Sequence, residues 1–335
     1  MMRGAAAFIA ASACAHAATA YTCGHLNDDE RALQLARFRD EVLNKTLNPH
    51  HGVLDGSSWP PGAQALSMAG QYRLDSFSAL VATAVEDGVV GDVIETGVWR
   101  GGASFVVART LELMGDLAAG RRVFLCDSFA GIPKQAVHKD ANGAPRLTRQ
   151  DASAHGLSIL NHNSPDRVRS DAVAIGLNVS RLEFVVGFFK DSLPPLLSAE
   201  PRLRFAVVRL DGDTYWSTME AITQLYPRLS PGGFLIVDDY MDWQSCRTAI
   251  DQYRKENNIT EPIIAVPHRS GNVRGVYWRK LPTAAQALCA GCPKGTLRPA
   301  GAHLPHSASQ LQPPHRLCQP IGPCTQPYTN VHVCH

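Results

Sequence analysis

Two apolar runs in the second half of the chain end in acid. Phe205-Ala-Val-Val-Arg-Leu210 leads into Asp211-Gly-Asp213, and Phe234-Leu-Ile-Val237 leads into Asp238-Asp239. Runs this continuously apolar are expected of strands buried on both faces. The turn Ser230-Pro-Gly-Gly233 precedes the second run, and one helix, Ser217–Tyr226, lies between the two. That spacing makes a βαβ unit with parallel strands, whose carboxyl ends share one edge of the sheet. Asp211, Asp238 and Asp239 are therefore expected to meet. Carboxylates brought together repel unless a cation lies between them. Oxygen ligands without cysteine or histidine favour a hard divalent ion, Mg²⁺ first, with Ca²⁺ and Mn²⁺ admissible. The plainer alternative is three separate strand-end and turn aspartates.

A second group of residues surrounds the stretch Gly91–Gly102, GDVIETGVWRGG. Asp92–Ile94 occupy a short strand, with Glu95, Thr96 and Gly97 at its carboxyl end and a helix opening at Ala103. Gly97, Gly101 and Gly102 leave room for a ligand to approach the backbone, and the helix start turns free N–H groups into the same crevice. Open α/β sheets bind nucleotide-like ligands at such a place. The next strand, Val123–Cys126, ends in Asp127, whose two oxygens suit the two hydroxyls of a ribose. Ser128–Pro133 forms a tight loop over the crevice. A third strand, Leu182–Val186, is followed by Gly187 and Phe188, an aromatic placed to pack on a ligand or into the core. Between them, the polar stretch from His138 to Pro165 has the length of a lid or a disordered loop. His155 within it is the candidate for a substrate-facing catalytic group, against the plain alternative of a solvated loop histidine.

The elements that must hold these residues follow from periodicity. Asp28–Leu43 is an amphipathic helix opened by acids, and Tyr72, Leu74, Phe77, Leu80, Val81 and Ala84 recur at helical spacing up to a stop at Gly88. Ser164–Leu177 forms a helix capped by Ser164 with Pro165 in its first position. The order helix, strand, glycine turn, helix opens a doubly wound α/β sheet. Four regions result: a leader over 1–20, a helical N-terminal cap over 21–90, the α/β domain over 91–281 and a Pro- and Cys-rich tail over 282–335.

At 335 residues the chain has ample length for a large core, and a formal charge of +2 with mixed signs argues against a nucleic-acid partner. The leader, alanine-rich with an early arginine, is too short and interrupted to span a membrane and resembles a secretory signal, the plainer alternatives being an organelle transit sequence or a disordered alanine-rich leader. That leaves the compartment open between the secretory pathway, an organelle and, with an uncleaved leader, the cytoplasm. Cys126 and Cys246 belong to the core, whereas Cys289, Cys292, Cys318, Cys324 and Cys334 fall in the tail, which lacks apolar periodicity and is expected to be disordered. Only one C-x-x-C occurs there, so a zinc ribbon is not supported. Disulfides there, and glycans on Asn44, Asn178 and Asn258, become plausible only after secretion.

Eight segments, in order, carry a family resemblance: WPPGAQALSMAG, YRLDSFSALV, GDVIETGVWRGGAS, DSFAGIP, FFKDSLP, VVRLDGDTYWSTMEAI, LYPRLSPGGFLIVDDY and GVYWRK. Together they resemble the macrocin and mycinamicin sugar O-methyltransferases from about Leu43 to Lys280, most specifically in Val93–Gly102, Arg209–Thr218 and Pro231–Tyr240. The resemblance implies a Rossmann-like class I methyltransferase with a seven-stranded sheet ending in an antiparallel strand, here Val273–Arg279. It further implies dependence on S-adenosylmethionine and Mg²⁺, and a sugar hydroxyl as acceptor. By the same match Glu95, Thr96 and Gly97 approach the methionine end of the cofactor, with Gly101 in the same turn. Asp127 and Ser128 hold the ribose, and Gly187 and Phe188 line the adenine pocket. Asp211, Asp238 and Asp239 match the metal ligands, and Asp211 matches the general base. Gln135–Asn163 follows the family poorly, which leaves the acceptor undefined.

Rival readings are a nicotinamide dehydrogenase, a catechol-type methyltransferase acting on aromatic diols, and a non-catalytic binding module. Gly97-Val-Trp-Arg-Gly101 does not supply the G-x-G-x-x-G that a dehydrogenase needs. The expected partner is a small sugar or polyol, and the amphipathic N-terminal helices offer an apolar face for a homo-oligomer.

Overall fold

The computed structural model describes residues 27–43, 65–131, 163–266 and 274–282. Its centre is a seven-stranded sheet in the order β3-β2-β1-β4-β5-β7-β6. The strands are β1 (Asp92–Thr96), β2 (Val123–Asp127), β3 (Leu182–Val186), β4 (Phe205–Leu210), β5 (Leu229–Val237), β6 (Ile264–Ala265) and β7 (Val276–Arg279). β1 to β5 are parallel, while β7 runs antiparallel to both β5 and β6. The expected seven strands and antiparallel last strand are present, and the order reverses beside β1, which puts the crevice where ligands bind in such sheets.

The helices form two layers. On one face, α1 (Asp28–Val42), α2 (Gly70–Glu86), α3 (Gly102–Leu113) and α4 (Pro165–Ala174) bury Phe38, Leu74, Phe77, Phe105 and Val168 against Val93, Leu125 and Val207. On the other, α5 (Phe189–Ala199), α6 (Tyr215–Leu225) and α7 (Gln244–Glu256) bury Leu193, Ile222 and Ile250 against Phe124, Val208 and Trp278. Each fully buried side chain of this size contributes roughly 1.5–3 kcal/mol by leaving water. Short loops and right-handed crossovers then leave few other ways to connect the strands.

Several local signals act as expected. Asn27 and Glu30 form a capping box at α1, and Ser164 accepts the Arg167 amide at α4 with Pro165 in the first turn. α2 ends at Glu86, and Gly88 just beyond its cap takes the left-handed conformation with φ 66°. Other details differ. β1 extends two residues beyond Ile94, because Glu95 and Thr96 pair with Arg209 and Leu210 of β4. Ser230–Gly233 is not a turn before β5 but an irregularity inside it: the register jumps from Phe205↔Leu229 to Val207↔Phe234. Gly233 allows this, since a Cβ there would lie 2.5 Å from the Ala206 carbonyl oxygen. The apolar face of α1 is consumed within the chain, where Phe38 and Val42 are buried and Arg109 stacks on Phe38. Leu33 of the same helix is exposed. Among the described residues no helix is long and apolar enough to cross a membrane.

Candidate active site

The ladder hydrogen bonds carry past the ends of the strands and bring the site together. The Gly97 amide donates to the Cys126 carbonyl, Asp211 to Thr96 and Asp238 to Leu210, at 2.7 to 2.9 Å. Consecutive links of this kind align the carboxyl ends of β1, β4 and β5 in one row. As a result Asp211, Asp238 and Asp239 each present an oxygen within 4.8 Å of the others. Asp238 and Asp239 are buried, whereas the Asp211 side chain is 25 % exposed at the crevice mouth. Opposite ligands of Ca²⁺ stand about 4.6–5.2 Å apart and those of Mg²⁺ about 4.0–4.2 Å. The cluster therefore fits a hard divalent ion, with closure of several tenths of an ångström for the smaller one.

Two arginines already oppose this negative charge. Arg209, 1 % exposed near the carboxyl end of β4, reaches Glu95, donates to Asp211 Oδ2 at 2.6 Å and to Asp238 Oδ1 at 2.5 Å. Arg73 reaches Asp238 Oδ2 from α2. An arginine inside an otherwise apolar strand was the signal available in the sequence, because a buried guanidinium must find acids. Sequence reasoning gave it no role, and none to Arg73 or to Ser104, whose hydroxyl donates to Glu95.

Burial dominates the titration of these acids. It pushes Glu95 up to about 7, against the pull of Arg209 and Ser104. Burial also raises Asp211, again against Arg209, and raises Asp239 well above the usual carboxylate range with Asp213 and Asp211 adding to it. Asp213, a further acid at this edge, is driven up to about 8 by burial and by its neighbours Asp211 and Asp238. So much acid held in one place is a site short of positive charge.

The glycine turn is packed tightly against the rest of the protein. Gly97 has φ 86° and a Cβ there would lie 1.7 Å from the Asp211 carbonyl oxygen. At Gly101 a Cβ would strike Phe105 and Val168, and at Gly102 the Leu66 carbonyl. Close approach of the protein to itself therefore requires glycine at each of these positions. Asp127 clamps the turn: Oδ2 accepts the amides of Val98 and Trp99 at 2.9 and 3.0 Å, and Oδ1 accepts that of Phe129 at 2.8 Å. Two carboxylate oxygens offer about four acceptor sites, so capacity for a ribose hydroxyl remains. Ser128 closes its own tight turn, accepting from Ala130 and donating to the Gly131 carbonyl.

The remaining expected residues also lie at this edge. Thr96 is buried, with its hydroxyl donating to the Arg209 carbonyl at 3.4 Å. Gly187 donates its amide to the Asp127 carbonyl, and Phe188 beside it is 36 % exposed. An acid at the end of β2 and a bared aromatic at the end of β3 fit the polar and apolar halves of a nucleoside. Trp99, Phe129 and Asp213 hold positive φ, 48°, 52° and 60°, in three loops of this edge, a concentration of backbone strain typical of functional sites. His155 lies outside the described residues, as do the leader, most of the stretch from 135 to 163 and the cysteine-rich tail.

Comparison with known proteins agrees with this fold. Residues 27–280 match the family model described as Macrocin-O-methyltransferase (TylF). The 8-demethyl-8-(2,3-dimethoxy-alpha-L-rhamnosyl)-tetracenomycin-C 4'-O-methyltransferase of Streptomyces olivaceus is 40 % identical over 233 residues, 70 % of this chain and 82 % of that protein. The mycinamicin III 3''-O-methyltransferase of Micromonospora griseorubida is 38 % identical over 225 residues, 67 % of this chain and 82 % of that one. Among solved structures, the O-methyltransferase NovP superposes with a TM-score of 0.62 at 33 % identity, covering 75 % of this chain and 100 % of its own.

Proposed function

The chain belongs to the macrocin O-methyltransferase family and is an O-methyltransferase, and from that premise we propose its acceptor, cofactor and metal. The proposed reaction moves the methyl group of S-adenosylmethionine to a sugar hydroxyl of a glycosylated small molecule, with Mg²⁺ held by Asp211, Asp238 and Asp239. The observation that carries the reading is the meeting of those three carboxylates beside the crevice. The name of the Streptomyces olivaceus relative, which specifies a rhamnosyl-bearing compound, supports the acceptor class.

Each part of the site has a task in this reading. S-adenosylmethionine supplies an electrophilic methyl on a sulfonium centre, and a divalent ion lowers the pKa of a hydroxyl bound to it. Asp127 and Ser128 lie where a ribose would be held, with Gly187 and Phe188 beside the base. Glu95, Thr96 and Gly97 stand at the methionine end, where Ser104 and Arg209 hold the Glu95 carboxylate in place. Asp211, the carboxylate of the trio open to the crevice, accepts the acceptor's proton as well as binding the ion. No covalent intermediate is required, so positioning and electrostatics carry the rate.

The test is a turnover assay on glycosylated and catechol acceptors, with and without chelator, alongside thermal melting with S-adenosylmethionine. We expect a raised melting temperature and methylation of a glycosylated acceptor that stops on chelation and returns with Mg²⁺. Turnover confined to catechols would move the acceptor to aromatic diols, and chelator-resistant turnover would remove the ion from the reading.

A further inference from the structure

Asp238 is held at both oxygens by arginine. Arg209 Nη2 donates to Oδ1 at 2.5 Å, and Arg73 Nη1 donates to Oδ2. The two arginines differ in what else they touch. Arg209 is buried between β1, β4 and β5, and its further partners are Glu95 and Asp211, both inside the same centre. Arg73 comes from α2, outside the sheet, with its side chain 12 % exposed. Its Nε donates to the Ala69 carbonyl at 2.7 Å and its Nη2 to that of Met68 at 3.3 Å, so the guanidinium is tethered at the helix start. A second carboxylate stands within its reach: Asp242 Oδ2 is 3.7 Å from Nη1, and Arg274 Nη1 lies 3.6 Å from the same oxygen.

We infer that Arg73 is a resident counter-cation of the acidic centre, which competes with a divalent ion for Asp238 and transfers its ion pair to Asp242 when the ion binds. This rests on reading Asp211, Asp238 and Asp239 as the divalent-cation site. The physical argument is one of charge and space. A guanidinium on Oδ2 and an ion drawing on the same carboxylate repel each other, at a place where burial keeps their interaction strong. Arg209 cannot withdraw, because every acid it touches belongs to the centre. Arg73 can, because Asp242 receives its charge at the cost of a small rotation and without leaving its backbone tethers. The arginine thus lowers the affinity for the ion, and Asp242 recovers part of that loss.

The competing account makes Arg73 a simple orienting group for Asp238, and it predicts the opposite sign. Calorimetric titration of the full chain with Mn²⁺ and Mg²⁺ separates them without any turnover. Arg73→Met should bind the ion on the order of tenfold more tightly, the scale on which groups bonded to metal ligands shift affinity. Asp242→Asn should bind it several-fold more weakly in the wild-type background and lose most of that effect in the Arg73→Met background. Equal or weaker binding by Arg73→Met overturns the inference, and so does an additive double variant. Should Arg73→Met fail to fold, Arg73→Gln and the Asp242→Asn single variant carry the test: unchanged affinity in Asp242→Asn is then the overturning result. No binding by the wild-type chain would instead overturn the metal reading itself, and the inference with it.

Discussion

A single aspartate, Asp211, joins the two halves of the proposed chemistry. It shares the acidic centre with Asp238 and Asp239, it is bonded to Arg209, and it alone of the three faces the crevice. Asp211→Asn keeps an acceptor for Arg209 but removes both the charge and the basic oxygen. Methyl transfer is expected to fall by about 10³-fold, within the range for loss of a positioned proton acceptor, while S-adenosylmethionine still raises the melting temperature. Activity within about tenfold of wild type would take Asp211 out of both roles. Gly97 makes a different kind of demand. Its φ of 86° and the Asp211 carbonyl at 1.7 Å from a built Cβ leave no room for a side chain. Gly97→Ala should cost at least about 2 kcal/mol in denaturant unfolding, since strain and backbone displacement combine. A cost below about 0.5 kcal/mol, the range of ordinary surface changes, would mean that the turn relaxes freely.

At the scale of elements, the loop between β4 and α6 is ordered from its far end. Thr214 and Ser217 form a capping box, the Ser217 hydroxyl also donates to the Gly212 carbonyl, and Asp213 between them holds φ 60°. Thr214→Ala removes the cap and should lower stability by about 1 kcal/mol, read from a shifted denaturant midpoint at unchanged slope. Some elements were legible and others were not. β3 and β4 have the bounds their sequence predicts, because a largely apolar run with turn residues beside it leaves one solution. α5 is hard to read from sequence because Pro194 and Pro195 lie inside it and mimic a break. α7 is legible in principle, since Ser245, Cys246, Ala249, Ile250 and Tyr253 recur at helical spacing opposite a charged face, but no expectation was drawn from that stripe. β6 is two residues long and exists only through its pairing with β7.

For the molecule as a whole, the acidic centre is a cost carried by the fold. Five carboxylates, Glu95, Asp211, Asp213, Asp238 and Asp239, face the guanidinium groups of Arg73 and Arg209. Glu95 gives this a measurable sign. Burial lifts it from an ordinary value of 4.5 to about 7, so between those pH values the folded chain holds a proton that the unfolded chain has lost. Its contribution to stability is fully present below about 4.5 and is lost as the pH rises through about 7. Unfolding measured in ion-free buffer should show stability declining across that window, and Glu95→Gln, which can still bond Ser104 and Arg209, should flatten the decline. A slope identical in the variant would place the titration elsewhere.

The sequence by itself determined the parallel α/β sheet, the acids that follow its strands and the family, because each depends on local pattern: apolar runs, turn glycines and residues adjacent in the chain. Even the meeting of Asp211, Asp238 and Asp239 was derivable, since parallel neighbours must end on a common edge. Tertiary structure alone decided what those acids touch. The glycines of the turn answer to the Asp211 carbonyl, Phe105 and Leu66, and Asp127 is engaged by the amides of Val98, Trp99 and Phe129. Arg73 and Arg209 reach Asp238 across 165 and 29 residues of chain. Strand register and helix packing set such contacts, and neither is written in the spacing of residues along one segment, because both depend on where separate segments come to rest against each other.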